Sequence, residues 1–150
     1  MEASYRAFGE KFSAAIIAKD YASAHVLLAP WLMKKVTPEK LREEIEQHVR
    51  EMCKVWNVED AIHPAQCDLD GNSRIDVEGL REPEWDNSVP DIPAEVTDAN
   101  YRYWMCQQFK PEEVTVEFDA FFDAFFDLWL ALVEHEGELR VGYYKFSDPD

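Results

Sequence analysis

A chain of 150 residues with a formal net charge of −16 can bury one sizeable core, and Coulomb repulsion disfavours nucleic acid and anionic membrane as partners. No apolar run approaches the roughly 20 residues that span a bilayer, and the charged N-terminus MEASYRAFGEKF has no signal-peptide core, so a single cytoplasmic domain is expected. Cys53, Cys67 and Cys106 are odd in number and widely spaced, which points to inert thiols, with no disulfide framework, metal pair or cofactor.

Tyr5, Phe8, Phe12 and Ile16 recur at three- and four-residue steps and predict a helix over about Ala3 to Lys19. Asp20 is a suitable N-cap for a second short helix carrying Tyr21, Ala24, Leu27 and Leu28, which Pro30 ends. Trp31, Leu32 and Met33 follow as a buried turn. Thr37-Pro38-Glu39 combines a hydroxyl cap, a proline at the first helical position and an acid near the positive end. It starts a third helix, about Pro38 to Cys53, with Leu41, Ile45, Val49 and Met52 as its buried stripe.

Charge then changes sharply. Residues 1–56 carry nine Lys/Arg against eight Asp/Glu, whereas residues 57–150 carry 23 acids against six bases. Between Asn57 and Asn100, twelve carboxylates face only Arg74 and Arg81, and prolines interrupt any regular element. An irregular excursion is expected there, with a short strand around Arg74 to Leu80; such long loops are usually functional or mobile. Asn100 to Phe109 alternates Tyr101, Tyr103, Met105 and Gln107 against Arg102, Trp104, Cys106 and Gln108, which predicts a strand.

The tandem FDAF-FDAF unit within Glu117 to Phe126 has helical periodicity, but the run after it reads as a hairpin. A strand is expected from about Phe122 to Glu134, then a Glu136-Gly137 turn and a returning strand. A two-residue turn sets Trp129 opposite Tyr144, Leu130 opposite Tyr143 and Leu132 opposite Val141. One face then carries Leu128, Leu130, Leu132, Leu139, Val141 and Tyr143 toward the helices. The other, with Asp127, Trp129, Ala131, Val133, Arg140, Tyr144 and Phe146, is too aromatic to be left to water. Either the acidic excursion or a second molecule should cover it, and a homodimer through this sheet is expected. The expected fold is α+β, N-terminal helices packed in a curved antiparallel sheet.

The early segment DYASAHVLLAPWLMKKVTPEKLREEIEQ and the closing hairpin LWLALVEHEGELRVGYYKF resemble the nuclear-transport-factor-2-like (cystatin-like, SnoaL-like) superfamily. The resemblance spans Ala3 to Cys53 and Asn100 to Phe146, and it implies a cone-like sheet wrapped on a helix. The superfamily hosts isomerases, dehydratases, epoxide hydrolases, transport factors and binding domains, so the resemblance implies no activity. No enzyme member's catalytic set maps onto this chain.

Few residues invite chemistry. Asp68, Asp70, Asn72 and Asp76 fall at calcium-loop spacing, but Ser73 stands where glycine is needed and Gly79 where a bidentate Glu is needed. An Asp/Gly/Asn turn explains the same letters. His25, His48, His63 and His135 are scattered, and no pair has metal-ligand spacing. Asp119, Asp123 and Asp127 recur every fourth residue as solvated acids; a buried one beside Trp129 would have a raised pKa and act as a base. Trp104, Asp127, Trp129 and Tyr144, with Tyr103, are the pocket or interface candidates. A non-catalytic binding domain is therefore expected, acting on a basic protein partner or a small hydrophobic ligand. The alternative is a small-molecule isomerase or hydrolase using Asp123 or Asp127 in the cone cavity.

Overall fold

The computed structural model describes residues 2–55, 64–83, 88–111 and 126–147. Helices α1 (Glu2–Ile17), α2 (Tyr21–His25), α3 (Pro30–Met33) and α4 (Pro38–Val55) precede strand β1 (Pro64–Asn72) and a helical turn, α5 (Val77–Leu80). Strands β2 (Tyr101–Pro111), β3 (Phe126–His135) and β4 (Glu138–Ser147) complete an antiparallel sheet of order β1-β2-β3-β4. The N-terminal helices pack on one face of this curved sheet, an α+β arrangement.

The local signals in the first third act as expected. Tyr5, Phe12 and Ile16 are the buried stripe of α1. Lys19, at φ 60°, turns the chain out of that helix, and the Asp20 carboxylate accepts the Ser23 N–H at 3.2 Å to start α2. Thr37 Oγ1 accepts the Lys40 N–H at 3.1 Å, and Leu41, Ile45 and Val49 bury one side of α4. The side chains of Met52 and Cys53 lie outside the described residues, as do residues 112–125 and with them the whole FDAF repeat and the start of the expected β3 strand. Proline at the first position of α3 converts the expected Trp31–Met33 turn into one turn of helix.

The excursion differs from expectation. Its strand lies at Pro64–Asn72, before Arg74, and Val77–Leu80 is helical because the Asp76 carboxylate caps it, accepting the Gly79 N–H at 2.7 Å. Residues 68–72, expected as a turn, are strand; the turn follows, where Asn72 Oδ1 accepts the Arg74 N–H at 2.9 Å. Being an edge strand, β1 turns only Cys67 and Leu69 toward the main core, so its apolar alternation is faint.

The hairpin has the expected turn, with Glu136 at φ 53° and Gly137 at φ 80°, the paired positive values of a type I′ turn. Its register is as expected from the turn as far as Leu132 opposite Val141, then shifts by one. Ala131 pairs with Tyr143, and Gly142 is the extra residue of a bulge. Beyond it Leu130 faces Tyr144 and Trp129 faces Lys145, correcting the pairings expected for Tyr143 and Tyr144. One inserted residue moves every later side chain to the opposite face. Tyr144 and Phe146 therefore join Leu128, Leu130, Leu132 and Val141 under the helices, and Tyr143 points away.

The bulge is held from outside. Ala29 N–H donates to the Val141 carbonyl and Val141 N–H to the Leu27 carbonyl, both at 2.8 Å, while Trp31 Nε1–H donates to the Gly142 carbonyl at 2.8 Å. A Cβ on Gly142 would stand 2.6 Å from Val133 Cγ1, so no side chain fits. On the face away from the helices, Val77, Leu80 and Val96 from the excursion bury Ala131, Val133 and Tyr143. Arg81 donates to the Val96 carbonyl at 2.6 Å and to the Pro93 carbonyl at 3.2 Å, which pins the cover in place. The excursion thus covers the part of this face that helped motivate a second copy, and the bulge removes Tyr144 and Phe146 from it.

Gly142→Ala should destabilise the chain by about 1–3 kcal/mol through forced displacement of Val133. Urea denaturation monitored by circular dichroism measures the loss.

Candidate functional site

The far face of the sheet is left uneven by its partial cover. Toward β1 it carries Trp104, Cys106, Gln108 and Lys110 from β2, Asp127 and Trp129 from β3, Lys145 from β4, and Asp68 and Asp70 from β1. Strand alternation puts all of them on one side, because their neighbours Met105, Gln107, Phe109, Leu128 and Leu130 are buried on the other.

Trp104 and Trp129 stack at 5.3 Å between ring centres with planes 16° apart. Trp104 is buried, while Trp129 keeps a partly open surface. Lys145 Nζ lies 6.0 Å from the Trp104 ring centre, a cation–π distance, and burial lowers the lysine's pKa. Gln108 Nε2 reaches Asp127 Oδ1 at 3.4 Å, and Lys110 Nζ pairs with Asp68 Oδ2 at 2.7 Å. Burial, reinforced by the charge of Asp127, pushes the Cys106 thiol up to about 12. Cys67, on the helix side, is pushed up to about 12 by burial as well. Neither thiol is a nucleophile near neutral pH.

Of the expected site residues, Trp104, Asp127 and Trp129 come together here and Tyr144 does not. Its hydroxyl lies across the sheet and donates to Glu44 Oε2 of α4 at 2.8 Å, because the Gly142 bulge reversed it. Tyr103 also faces the helices, stacked on Tyr5 at 4.9 Å. Asp127 points away from the helices and so does not enter the cone interior; Asp119 and Asp123 lie outside the described residues. That interior, between helices and sheet, is occupied by Phe12, Phe109, Phe126, Leu128 and Leu130, all fully buried.

Lys145 and Cys106 belong to the site although neither was singled out for it. The β2 alternation already grouped Cys106 and Gln108 with Trp104, whereas Lys145 becomes visible only once the bulge is known. Asp68, Asp70, Asn72 and Asp76 do not converge: Asp68 pairs with Lys110, Asn72 closes a turn and Asp76 caps α5. Among the described residues no group of His, Cys, Asp or Glu could hold a metal ion. His25 Nε2 donates to the Val36 carbonyl at 2.7 Å, and His48 stacks on Phe146 at 4.1 Å, so both serve packing. His135 meets the Trp31 ring edge-on at 5.7 Å, and His63 lies outside the described residues. Two shallow hollows, of about 240 and 400 Å³, adjoin at Glu2, Asp70 and Gly71, where the start of α1 meets the end of β1. No helix among the described residues is long and apolar enough to cross a membrane.

No protein family, curated protein or solved structure matches the chain.

The thiols set an alkaline limit. An unfolded thiol titrates near 9.0 and the native ones near 12, so between those values the unfolded chain releases protons that the native state holds. The thiols' contribution to stability is present below about pH 9 and is lost as pH rises toward 12, a fall to which the buried tyrosines, also raised, add. Denaturation at about pH 8 and about pH 10.5 should show that fall, and Cys106→Ala should make it shallower.

Proposed function

We propose that this chain is a non-catalytic nuclear-transport-factor-2-like domain that binds a basic protein partner through the far face of its sheet. The observation that carries the reading is the Trp104–Trp129 stack, in which Trp129 keeps a partly open surface beside Asp127, on a chain of net charge −16. Tryptophan is enriched among the residues that dominate binding energy at protein interfaces, and its large ring offers area at small entropic cost. The surplus acid of residues 57–150 draws a cationic partner toward this half of the molecule and repels an anionic one. The order of elements, short helices followed by a closing hairpin, supports the superfamily reading.

Binding without catalysis fits the chemistry of the face. Its thiol is held protonated and its lysine sits against an aromatic ring. Asp127 is engaged by Gln108 and lies outside the packed interior in which a substrate would be enclosed.

Affinity capture from cell extract at low and high salt, with bound proteins identified by mass spectrometry, tests the proposal. Basic proteins should be retained at low salt and released at high salt. Trp129→Ala should reduce retention at least about fivefold while leaving the fold intact by circular dichroism. Retention indifferent to both salt and Trp129 would contradict it. Light scattering of the free chain at micromolar concentration separates this from pairing of two copies across the same face, which would double the mass of 17.5 kDa.

A further inference from the structure

The outer edge of β1 is the second feature of this half of the sheet. Residues 27–29 hydrogen-bond the outer edge of β4 at Val141 alone, in a single bridge, and among the described residues nothing pairs with any part of the outer edge of β1. The nine residues of β1 are largely exposed and regularly paired to β2 from Gln66 to Asn72. An unpaired edge of this length is a template for another strand.

We propose that this edge accepts a strand of a partner protein carrying Lys or Arg at two alternate positions with an apolar residue between them. This deepens the function proposed above, on which it rests, by naming the partner's recognised segment. Asp68 and Asp70 both project to the far face, two residues apart; Asp68 already pairs with Lys110 through Oδ2 but stays largely exposed, and opposite charges directly across an antiparallel pair stabilise it. Leu69, between them, turns to the helix side, where its own side chain, with Tyr103 and Met105, is the apolar part of a hollow of about 240 Å³ that Glu2 and Arg6 also line. An apolar side chain opposite Leu69 would lie along that hollow.

The same two carboxylates disfavour the central registers of pairing with a second copy of this chain. Two β1 edges related by a two-fold axis through the sheet run antiparallel, with the same face continuing. Centred on Leu69, each Asp68 meets an Asp70; centred on Asp68 or Asp70, that residue meets itself. Like charges directly opposite are destabilising, so the edge disfavours self-pairing in those registers, leaving those centred on Cys67 or Gly71, while favouring a cationic strand.

The probes are three synthetic peptides of roughly ten residues: alternating Lys-Val, alternating Glu-Val, and a block peptide with the lysines and valines segregated. Fluorescence anisotropy should show the alternating Lys-Val peptide binding at least about tenfold tighter than the block peptide of equal charge, with no binding of Glu-Val. Amide hydrogen exchange should show new protection within residues 66–72. Asp68→Lys with Asp70→Lys should reverse the preference toward Glu-Val, a gain that misfolding cannot mimic. Equal affinity for alternating and block peptides would overturn the proposal, as would absence of protection in β1. If a basic partner is captured through Trp129 while β1 amides stay unprotected, the binding face stands and the edge docking is wrong. If cationic ligands of every kind fail to bind, both fall.

Discussion

The hydrogen bond from the Trp31 indole to the Gly142 carbonyl, with the pairing of residues 27–29 to Val141 beside it, joins the helical third of the chain to its last strand. A bulge leaves backbone groups out of the regular ladder, and a buried carbonyl without a partner costs about as much as a lost hydrogen bond. Trp31 supplies the donor at that point. The consequence extends along β4, because the extra residue decides which of Tyr143, Tyr144, Lys145 and Phe146 reach the core. With the bulge, Tyr144 and Phe146 complete the packing beneath α4, where Tyr144 bonds to Glu44 and Phe146 stacks on His48. Lys145 is sent to the opposite side, toward Trp104.

Two cores follow from this division. The larger lies between the helices and the sheet and is closed by aromatic and aliphatic side chains, with Gln107 as a buried polar link whose amide donates to the Gly9 carbonyl at 2.8 Å. The smaller lies beneath the excursion, where Val77, Leu80 and Val96 cover Ala131, Val133 and Tyr143. The excursion covers the turn end of the hairpin and leaves the β1 side of the far face with a tryptophan pair, a lysine, a thiol and carboxylates. Carboxylates, lysines and the partly open Trp129 thus share one side of the sheet from one topological cause. Charge alone would serve solubility; it is the stacked tryptophan pair beside it that motivates the proposed binding role.

The parts of this architecture legible in the sequence were those written in local chemistry. Capping residues Asp20 and Thr37, the apolar stripes of α1 and α4, the alternation of β2 and the Glu136-Gly137 turn each depend on neighbours within a few positions. The strand at Pro64–Asn72 was not legible, since an edge strand with exposed Asp68 and Asp70 carries too little apolar alternation to mark it. Asp76 falls inside the expected strand because its role as a cap depends on the chain turning after Asn72. The bulge was hidden for a different reason. Val-Gly-Tyr-Tyr fits an unbroken strand equally well, and the inserted residue is specified by Val133 and Trp31, which are distant in sequence. Asp127 and Trp129 could be grouped from alternation alone, whereas bringing Trp104 beside them required the β2–β3 register, and the placing of Tyr144 and Lys145 required the bulge.

The most direct measurement of the central claim is a set of nuclear Overhauser contacts from selectively labelled Tyr143 and Tyr144. A bulge at Gly142 places the Tyr144 ring near Phe146 and the Glu44 side chain of α4, and the Tyr143 ring near the methyl groups of Val96 and Val133. Contacts of Tyr143 with α4, and of Tyr144 with Trp129, would mean an unbroken ladder and would contradict the assignment of both faces.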